Sequence, residues 1–287
     1  MLIHVAAVGA LITLPICGIS LWPGWPIAMV AGLLTMAGGL GTTVGYHRAL
    51  AHGGVKLRGP VENILIFFAM LNGSGTPRTW VSNHRLHHAS SDTAEDISSP
   101  KQGGFWWAHL RWLWQAEQAS APRYCPDLTG VSYRVWRILQ IPLLTLSFFG
   151  GLAFGPAAFF WLGAIRLVFA LHGQCFVNSV SHLRPGVPAG ADSSRNVPWL
   201  ALWHGLQGEN WHANHHARPG VARFGWTATQ VDIGWWVIRE LERLGLATDV
   251  RRPRDLSSRL AESSMQSASC PRAPAALVGS TAGVKHL

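Results

Sequence analysis

The sequence predicts an all-α integral membrane protein: a four-helix transmembrane bundle with a helical cap on its cytoplasmic side, the cap carrying a dense set of histidines. Three observations predict it. Only 13% of the 287 residues are charged while 48% are apolar, against about 25% charged in an ordinary soluble domain, too few to cover a water-exposed surface. Long uncharged apolar runs recur along the chain, and the basic residues fall only between particular runs. The formal charge of +9 would suit nucleic acid only if it lay on a folded soluble face, so no nucleic-acid partner is expected. Four cysteines (Cys17, Cys125, Cys175, Cys270) lie far apart without a CxxC pair, which gives neither a zinc ribbon nor a disulfide framework.

The first run, about 2–22, is uncharged and has no basic residue before it, so it reads as a span rather than a cleaved leader. WPGWP follows as a turn with two tryptophans, suited to a membrane interface. A second span is expected over about 26–46. Residues 61–75 are apolar but short and broken by glycine, which predicts a buried or interfacial helix. The stretch from about 136 to 182 is interrupted at Gly150-Gly151 and Gly155-Pro156 and predicts two antiparallel spans, about 136–153 and 156–178. Ten Lys/Arg lie between His47 and Arg137, twelve follow His182, and Arg166 is inside the last span. That leaves none in the two turns on the far side, so both termini and both large polar segments (47–135 and 182–252) are expected in the cytoplasm. Residues 1–252 then form one domain. The Ser-, Ala-, Pro- and Arg-rich stretch from 253 to 287 is expected to be a disordered tail.

Eight of the fourteen histidines fall in three short windows: HRALAH (His47, His52), HRLHH (His84, His87, His88) and HANHH (His212, His215, His216). In the last two, positions i, i+3 and i+4 share a helix face, so three imidazoles are expected to converge on a common point. The first pair, i and i+5, is about 140° apart on an α-helix; those rings either serve different metals or sit where the helix ends. Imidazole is a common ligand for first-row metals, and so many of them exceed the needs of one tetrahedral zinc, which favours two metals. No HExxH zincin pattern is present. Asn178 and His182 (NSVSH) share a face at the end of the last span. His4, His109, His172, His204 and His286 are weaker candidates, for which ordinary packing or surface roles are expected.

These boxes, in this order around these spans, resemble the membrane-bound fatty acid desaturases, specifically the acyl-CoA (delta-9-type) branch. HRLHHASSDTAEDISSPKQGGFWWAHLRW is similar to the second box of that family and its trailing segment, NSVSHL to its fourth motif and GENWHANHHARPG to its third box. The resemblance covers about residues 1–252. It implies a di-iron centre with nine ligands, His47, His52, His84, His87, His88, His182, His212, His215 and His216, and an Asn178 that holds a metal-bound water. It further implies O2 as co-substrate, a hydrophobic tunnel for a long acyl chain, and a separate electron donor, a ferredoxin or small haem protein fed from NAD(P)H, since no dinucleotide fingerprint is visible in the chain. Membrane lipid is the remaining partner.

Two departures from the animal acyl-CoA enzymes stand out. Val81-Ser82-Asn83 precedes His84 where those enzymes have Arg-Asp, and an Arg-Lys pair after the aromatic run is replaced near Gln115 and Glu117. Both changes remove groups that hold CoA, which makes a lipid- or carrier-linked acyl chain an alternative. Asn83, Asp96 and Glu209 are the candidates for orienting a ligand histidine. Two rival functions share the pattern: a membrane di-iron hydroxylase, which uses the same oxidant, and a non-enzymatic haem- or metal-binding bundle, which would need its histidines at matching depths inside the spans.

Overall fold

A computed structural model describes residues 2–188 and 190–253. The tail expected from 253 onward lies, from residue 254, outside the described residues, and so does His286. Nearly all regular structure is helical. Helix α1 (Leu2–Ile16) is followed by α2 (Trp25–Ala51), strand β1 (Lys56–Leu57), α3 (Gly59–Leu71) and α4 (Pro77–Ala89). Next come a broken helical segment α5 (100–115), two long helices α6 (Val131–Phe154) and α7 (Pro156–Ser181), the short α8 (His212–Ala217), α9 (Ile233–Arg243) and strand β2 (Ala247–Thr248).

Three of these helices, α2, α6 and α7, are long and apolar enough to cross a membrane. Their outer faces carry the side chains such a role needs. Leu33 is 69% exposed, Ile138 70% and Phe154 72%, a surface that water would penalise and hydrocarbon would not. Helix α1 is shorter than the apolar run that contains it. Its 15 residues reach about 22 Å at 1.5 Å per residue, against about 30 Å of bilayer core. The helix stops because Gly18 turns the chain at φ 72°, a conformation glycine adopts without penalty, and Pro23 lies just ahead. Residues 61–75 hold α3, which packs closely on α2. A Cβ on Gly41 would strike the carbonyl oxygen of Leu65, and one on Gly38 the side chain of Asn72, so these glycines let the two backbones meet.

The second half of α2, Gly41–Ala51, is a π-helix. Its wide turn is visible where the amide of His52 donates to the carbonyl of His47, five residues back, at 3.3 Å. Arg48 anchors this segment to the chain's end. It is 1% exposed and forks onto Asp232 at 2.9 and 3.1 Å, while also donating to the carbonyls of Gln207 (2.7 Å) and Ala222 (2.9 Å). Its guanidinium lies 3.9 Å from the centre of the Phe224 ring. Asp232 in turn caps α9 through the amide of Trp235. The antiparallel pair β1–β2, with Lys56 opposite Thr248 and Leu57 opposite Ala247, fastens the same end.

In α7 a second buried cation of the long helices is fully partnered. Arg166 donates to the carbonyl of Leu162, to Asn72 Oδ1 at 2.9 Å, to the carbonyl of Leu71, and to the hydroxyl of Ser147. Its hydrogen bonds tie α3, α6 and α7 together, as a charge held in an apolar layer requires.

Candidate metal centre

Each histidine window is placed by its own local structure. Thr76 caps α4 by accepting from the amide of Thr79, with Pro77 at the first helical position, and the helix presents His84, His87 and His88. Asn196 accepts from the amides of Ala213 and Asn214 at the start of α8, and Asn214 donates to the carbonyl of Phe224, so α8 is fixed although it is only 6 residues long. His182 directly follows the end of α7.

These elements bring nine histidines to two points. The first group is His47, His52, His84, His88 and His215; the second is His87, His182, His212 and His216. Within each group the ligand atoms lie within 4.8 Å of one another. One expectation is corrected here. The three imidazoles of a box do not share one point: in α4 the i, i+4 pair (His84, His88) serves the first group and His87 the second. In α8 the pair His212 and His216 serves the second and His215 the first. The steps of three and four residues diverge around a helix, and the two helices use that divergence in opposite senses. The separation of His47 and His52 is resolved by the π-turn, which stacks residues five apart, so both rings join the same group with centroids 5.3 Å apart.

The ring nitrogens are oriented for a cation. His47 Nδ1 lies 2.9 Å from both carboxylate oxygens of Glu209, His87 Nδ1 2.8 Å from Asp96, His182 Nδ1 3.1 Å from Asp92 and His216 Nδ1 3.2 Å from Asp192. Donation from Nδ1 leaves Nε2 as a lone pair. Those lone pairs face one another: His87 and His216 Nε2 are 3.3 Å apart, yet both rings have given their Nδ1 hydrogen to a carboxylate. Two such lone pairs repel unless a positive ion sits between them. His182–His212 (2.8 Å), His47–His215 (2.9 Å), His215–His88 (2.9 Å) and His52–His84 (2.8 Å) repeat the spacing. A metal–nitrogen bond of about 2.1 Å with ligands at right angles gives an edge of about 3 Å.

The electrostatics agree. Burial, with the neighbouring imidazoles, holds His52, His84, His88, His212 and His215 below the usual histidine range. His216 is pushed down to about 3 by burial, against the opposing pull of Asp192. His87 goes the other way: burial would lower it, but Asp96, Asp92 and Asp192 raise it. Burial would raise Glu209, but His47, Arg48 and the Thr43 hydroxyl hold it down to about 2. The set is therefore mainly neutral imidazole beside ionised carboxylate, the form that binds metal.

A cavity of about 720 Å³ runs from Ala28, Ala31 and Trp161, between the long helices, past Thr43 to His47, His84 and His87. Its size and mostly apolar wall suit a small amphiphile. Asn178 is half-buried in this wall, and among the described residues its side chain has no hydrogen-bond partner.

The fatty acid desaturase family model matches residues 20–237. The chain is 37% identical over 246 residues to delta-9 acyl-lipid desaturase 1 of Arabidopsis thaliana, covering 82% of this chain and 78% of the relative. It is 36% identical over 234 residues to the sn-1 stearoyl-lipid 9-desaturase of Synechocystis, covering 79% and 72%. It is also 36% identical to icosanoyl-CoA 5-desaturase of Limnanthes douglasii, covering 82% and 67%. The chain belongs to the fatty acid desaturase family. It is a membrane protein and an oxidoreductase that desaturates fatty acyl chains.

Of the orienting residues expected in this desaturase, Asp96 and Glu209 contact box histidines and Asn83 does not. The Asn83 amide donates to Gln118 at 2.7 Å and accepts from the amide of Ala119 at 2.9 Å, so it holds the loop after α5 rather than a histidine ring. Two carboxylates escaped the sequence reading. Asp92 accepts from Ser99, from the amide and hydroxyl of Ser193, and from His182. Asp192 meets His216 and the amide of Ser194. Asp92 was one of three acids in a short loop with nothing in its spacing to single it out, and Asp192 sits in a segment without periodicity. Trp80 was also missed: its ring stacks on His84 at 4.8 Å and 20°, with only the one-turn spacing from His84 as a signal.

Proposed function

We propose that the nine histidines hold two irons, five about one point and four about the other, with Asn178 holding a water on the second. The observation that carries this is the His87–His216 pair, whose Nε2 lone pairs oppose one another while each Nδ1 is bonded to a carboxylate, together with four further Nε2–Nε2 contacts of the same spacing. Five imidazoles about one point exceed tetrahedral zinc and suit a metal that takes five or six ligands, and neutral imidazole is a good donor for iron. When bound, such a pair supplies, with O2 and two electrons, an oxidant strong enough to take hydrogen from an unactivated methylene.

The protein's own part is position and exclusion. The apolar wall from Ala28 to Trp161 seats the distal acyl chain, and the depth of that seat fixes which methylenes lie beside His47, His84 and His87. Thr43 and Glu209 hold His47, Trp80 holds the plane of His84, and Asp92 and Asp96 hold His182 and His87, so the rings cannot turn away as the centre changes charge. The apolar wall keeps bulk water away from the carbons seated against it.

The substrate we infer is a saturated acyl chain esterified to a membrane lipid, converted to a cis monoene. The acyl-lipid relatives support this, and so does the cavity's lining, in which Arg166, already committed to Asn72 and Ser147, is the only Lys or Arg among the described residues. CoA phosphates would call for free cations at the mouth, where Asn83 and Gln118 stand instead. The topology we infer has four spans, with α1 and its following turn as the first, both termini and the metal site in the cytoplasm, and a desaturase domain over residues 1–252. Segregation of the basic residues supports that sidedness. Electrons come from a separate ferredoxin or small haem protein.

Expression in a desaturase-deficient host, with lipid-bound and CoA-bound acyl pools analysed separately, tests the reading. New monoenes should arise first on lipid-bound chains. A product heavier by one oxygen, or monoenes confined to the CoA pool, would overturn it.

A further inference from the structure

Three histidines outside the metal centre form a second chain. His4 Nε2, on the first turn of α1, lies 3.0 Å from His172 Nε2 in α7. His172 Nδ1 lies 2.8 Å from His109 Nε2, in α5, and His109 Nδ1 lies 2.9 Å from the hydroxyl of Ser179. Ser179 donates to the carbonyl of Cys175, so it accepts from His109, and that choice fixes every tautomer upstream. His109 Nε2 then accepts from His172 Nδ1–H, and His172 Nε2 accepts from His4 Nε2–H. The hydrogen bonds all point one way, from half-buried His4 to Ser179, which is fully buried. Ser179 adjoins Asn178 and precedes His182 by three residues, a step that puts Cβ atoms about 5–6 Å apart, within reach of one bridging water.

Desaturation needs such a path. For the reaction inferred above, R–CH2–CH2–R′ + O2 + 2 e⁻ + 2 H⁺ gives R–CH=CH–R′ + 2 H2O. The electrons come from the protein donor, but the two protons must cross from solvent into a site where five of the nine candidate ligands are buried and the other four half-buried. Imidazole takes a proton on one nitrogen and releases another from the opposite one. We propose that His4, His172, His109 and Ser179 are proton-relay residues that deliver solvent protons to the metal centre. A proton taken at His4 Nδ1 releases the one on Nε2 to His172. The same exchange repeats at His172 and His109, and the Ser179 hydroxyl, by rotating away from Cys175, passes a proton to the bridging water. Afterwards the rings flip back to their starting tautomers. The relay rests on the desaturase reading and adds to it.

The test is His172→Phe and His172→Gln in the full chain, supplied with saturating reductant. Phe fills the space without hydrogen-bonding. Gln bonds to both neighbours but has no basic nitrogen with which to relay. The relay predicts that both variants slow turnover by about 100-fold, the scale of a lost acid–base group, with unchanged metal content and unchanged KM for the acyl lipid. It also predicts that added imidazole rescues the Phe variant and that the solvent deuterium isotope effect rises. Independently of activity, metal-free protein labelled with 15N-histidine should show two N–H···N couplings joining His4, His172 and His109, both lost in His172→Phe. Parent-like turnover in either variant, a slow Phe variant that imidazole does not rescue, or absent couplings would overturn the relay. A parent protein that makes no monoene would instead overturn the desaturase reading.

Discussion

The two halves of the proposed metal centre are built from the same side chain but are not electrically alike. The five-histidine group has one carboxylate behind it, Glu209 on His47. The four-histidine group has three: Asp96 on His87, Asp92 on His182 and Asp192 on His216. The first point thus gathers more imidazoles and the second is more anionic. Counting histidines would call the halves near-equal; the groups behind the rings separate them. A carboxylate on Nδ1 makes Nε2 a better donor and stabilises the more highly charged metal. The four-histidine half is therefore expected to be the easier one to oxidise.

The largest effect should come from the ligands themselves. His84→Ala, in the first group, and His212→Ala, in the second, are each expected to abolish monoene formation while the protein still inserts. Metal analysis should then show which half each histidine serves. Loss of one equivalent of iron with the other retained would support the division. Loss of both from either variant would show the halves to be one cooperative unit.

Next come the carboxylates. Asp92→Asn and Glu209→Gln each remove an orienting charge, and outer groups of this kind are worth about 10–100-fold in metal affinity or activity. Asp92→Asn is expected to be the more costly, because Asp92 also gathers Ser99 and Ser193 and so joins two loops to His182. The reduction potentials of the two variants sharpen the comparison. Removing Asp92 should raise the potential of the four-histidine half, and removing Glu209 that of the five-histidine half.

Much of this was legible in the sequence, and where it was not the causes are physical. Eight of the nine histidines could be singled out because helix spacing concentrates them in three windows, whereas His182 came as a ligand only with the resemblance of NSVSH to a family motif. Their division between two points could not be named, because box spacing says which rings share a face and not which face meets which. The π-turn at Gly41–Ala51 was hidden for a related reason: α and π turns differ by one residue in hydrogen-bond register, which shows only in the folded backbone, where the His52 amide reaches the His47 carbonyl. Asp92 and Asp192 act through loops, where no period marks the residue that will fold back. The helix within the run at 2–22 is shorter than the run because hydropathy does not register the left-handed turn at Gly18.

A smaller effect concerns acid. In the metal-free protein His52, His84, His88, His212 and His215 are held below their usual range, so the unfolded chain takes up protons more readily than the folded one. Stability is then expected to fall as pH drops below about 6.5, the unfolded value. His87, raised by its carboxylates, opposes this but is one ring against seven, since His182 and His216 are lowered as well. The depressed Glu209, at about 2, still contributes fully near pH 6 and gives way progressively as pH falls from the usual carboxylate range to that value. Thermal unfolding of the metal-free protein in detergent should therefore show a falling midpoint between pH 7.5 and 5.5. A flat profile would mean that the rings are solvated rather than packed.

The smallest effect lies farthest from the contrast. Asn83 adjoins His84 in sequence, yet its bonds go to Gln118 and Ala119, so Asn83→Ala should leave both halves of the centre intact. It frees the loop after α5 at the cavity mouth at a cost of about 0.5–1.5 kcal/mol for the lost bonds. That cost should appear as a change in KM for the acyl substrate of about tenfold or less, with kcat and iron content as in the parent. A fall in kcat, or loss of iron, would place Asn83 with the histidines after all and restore the role its position next to the second box suggests.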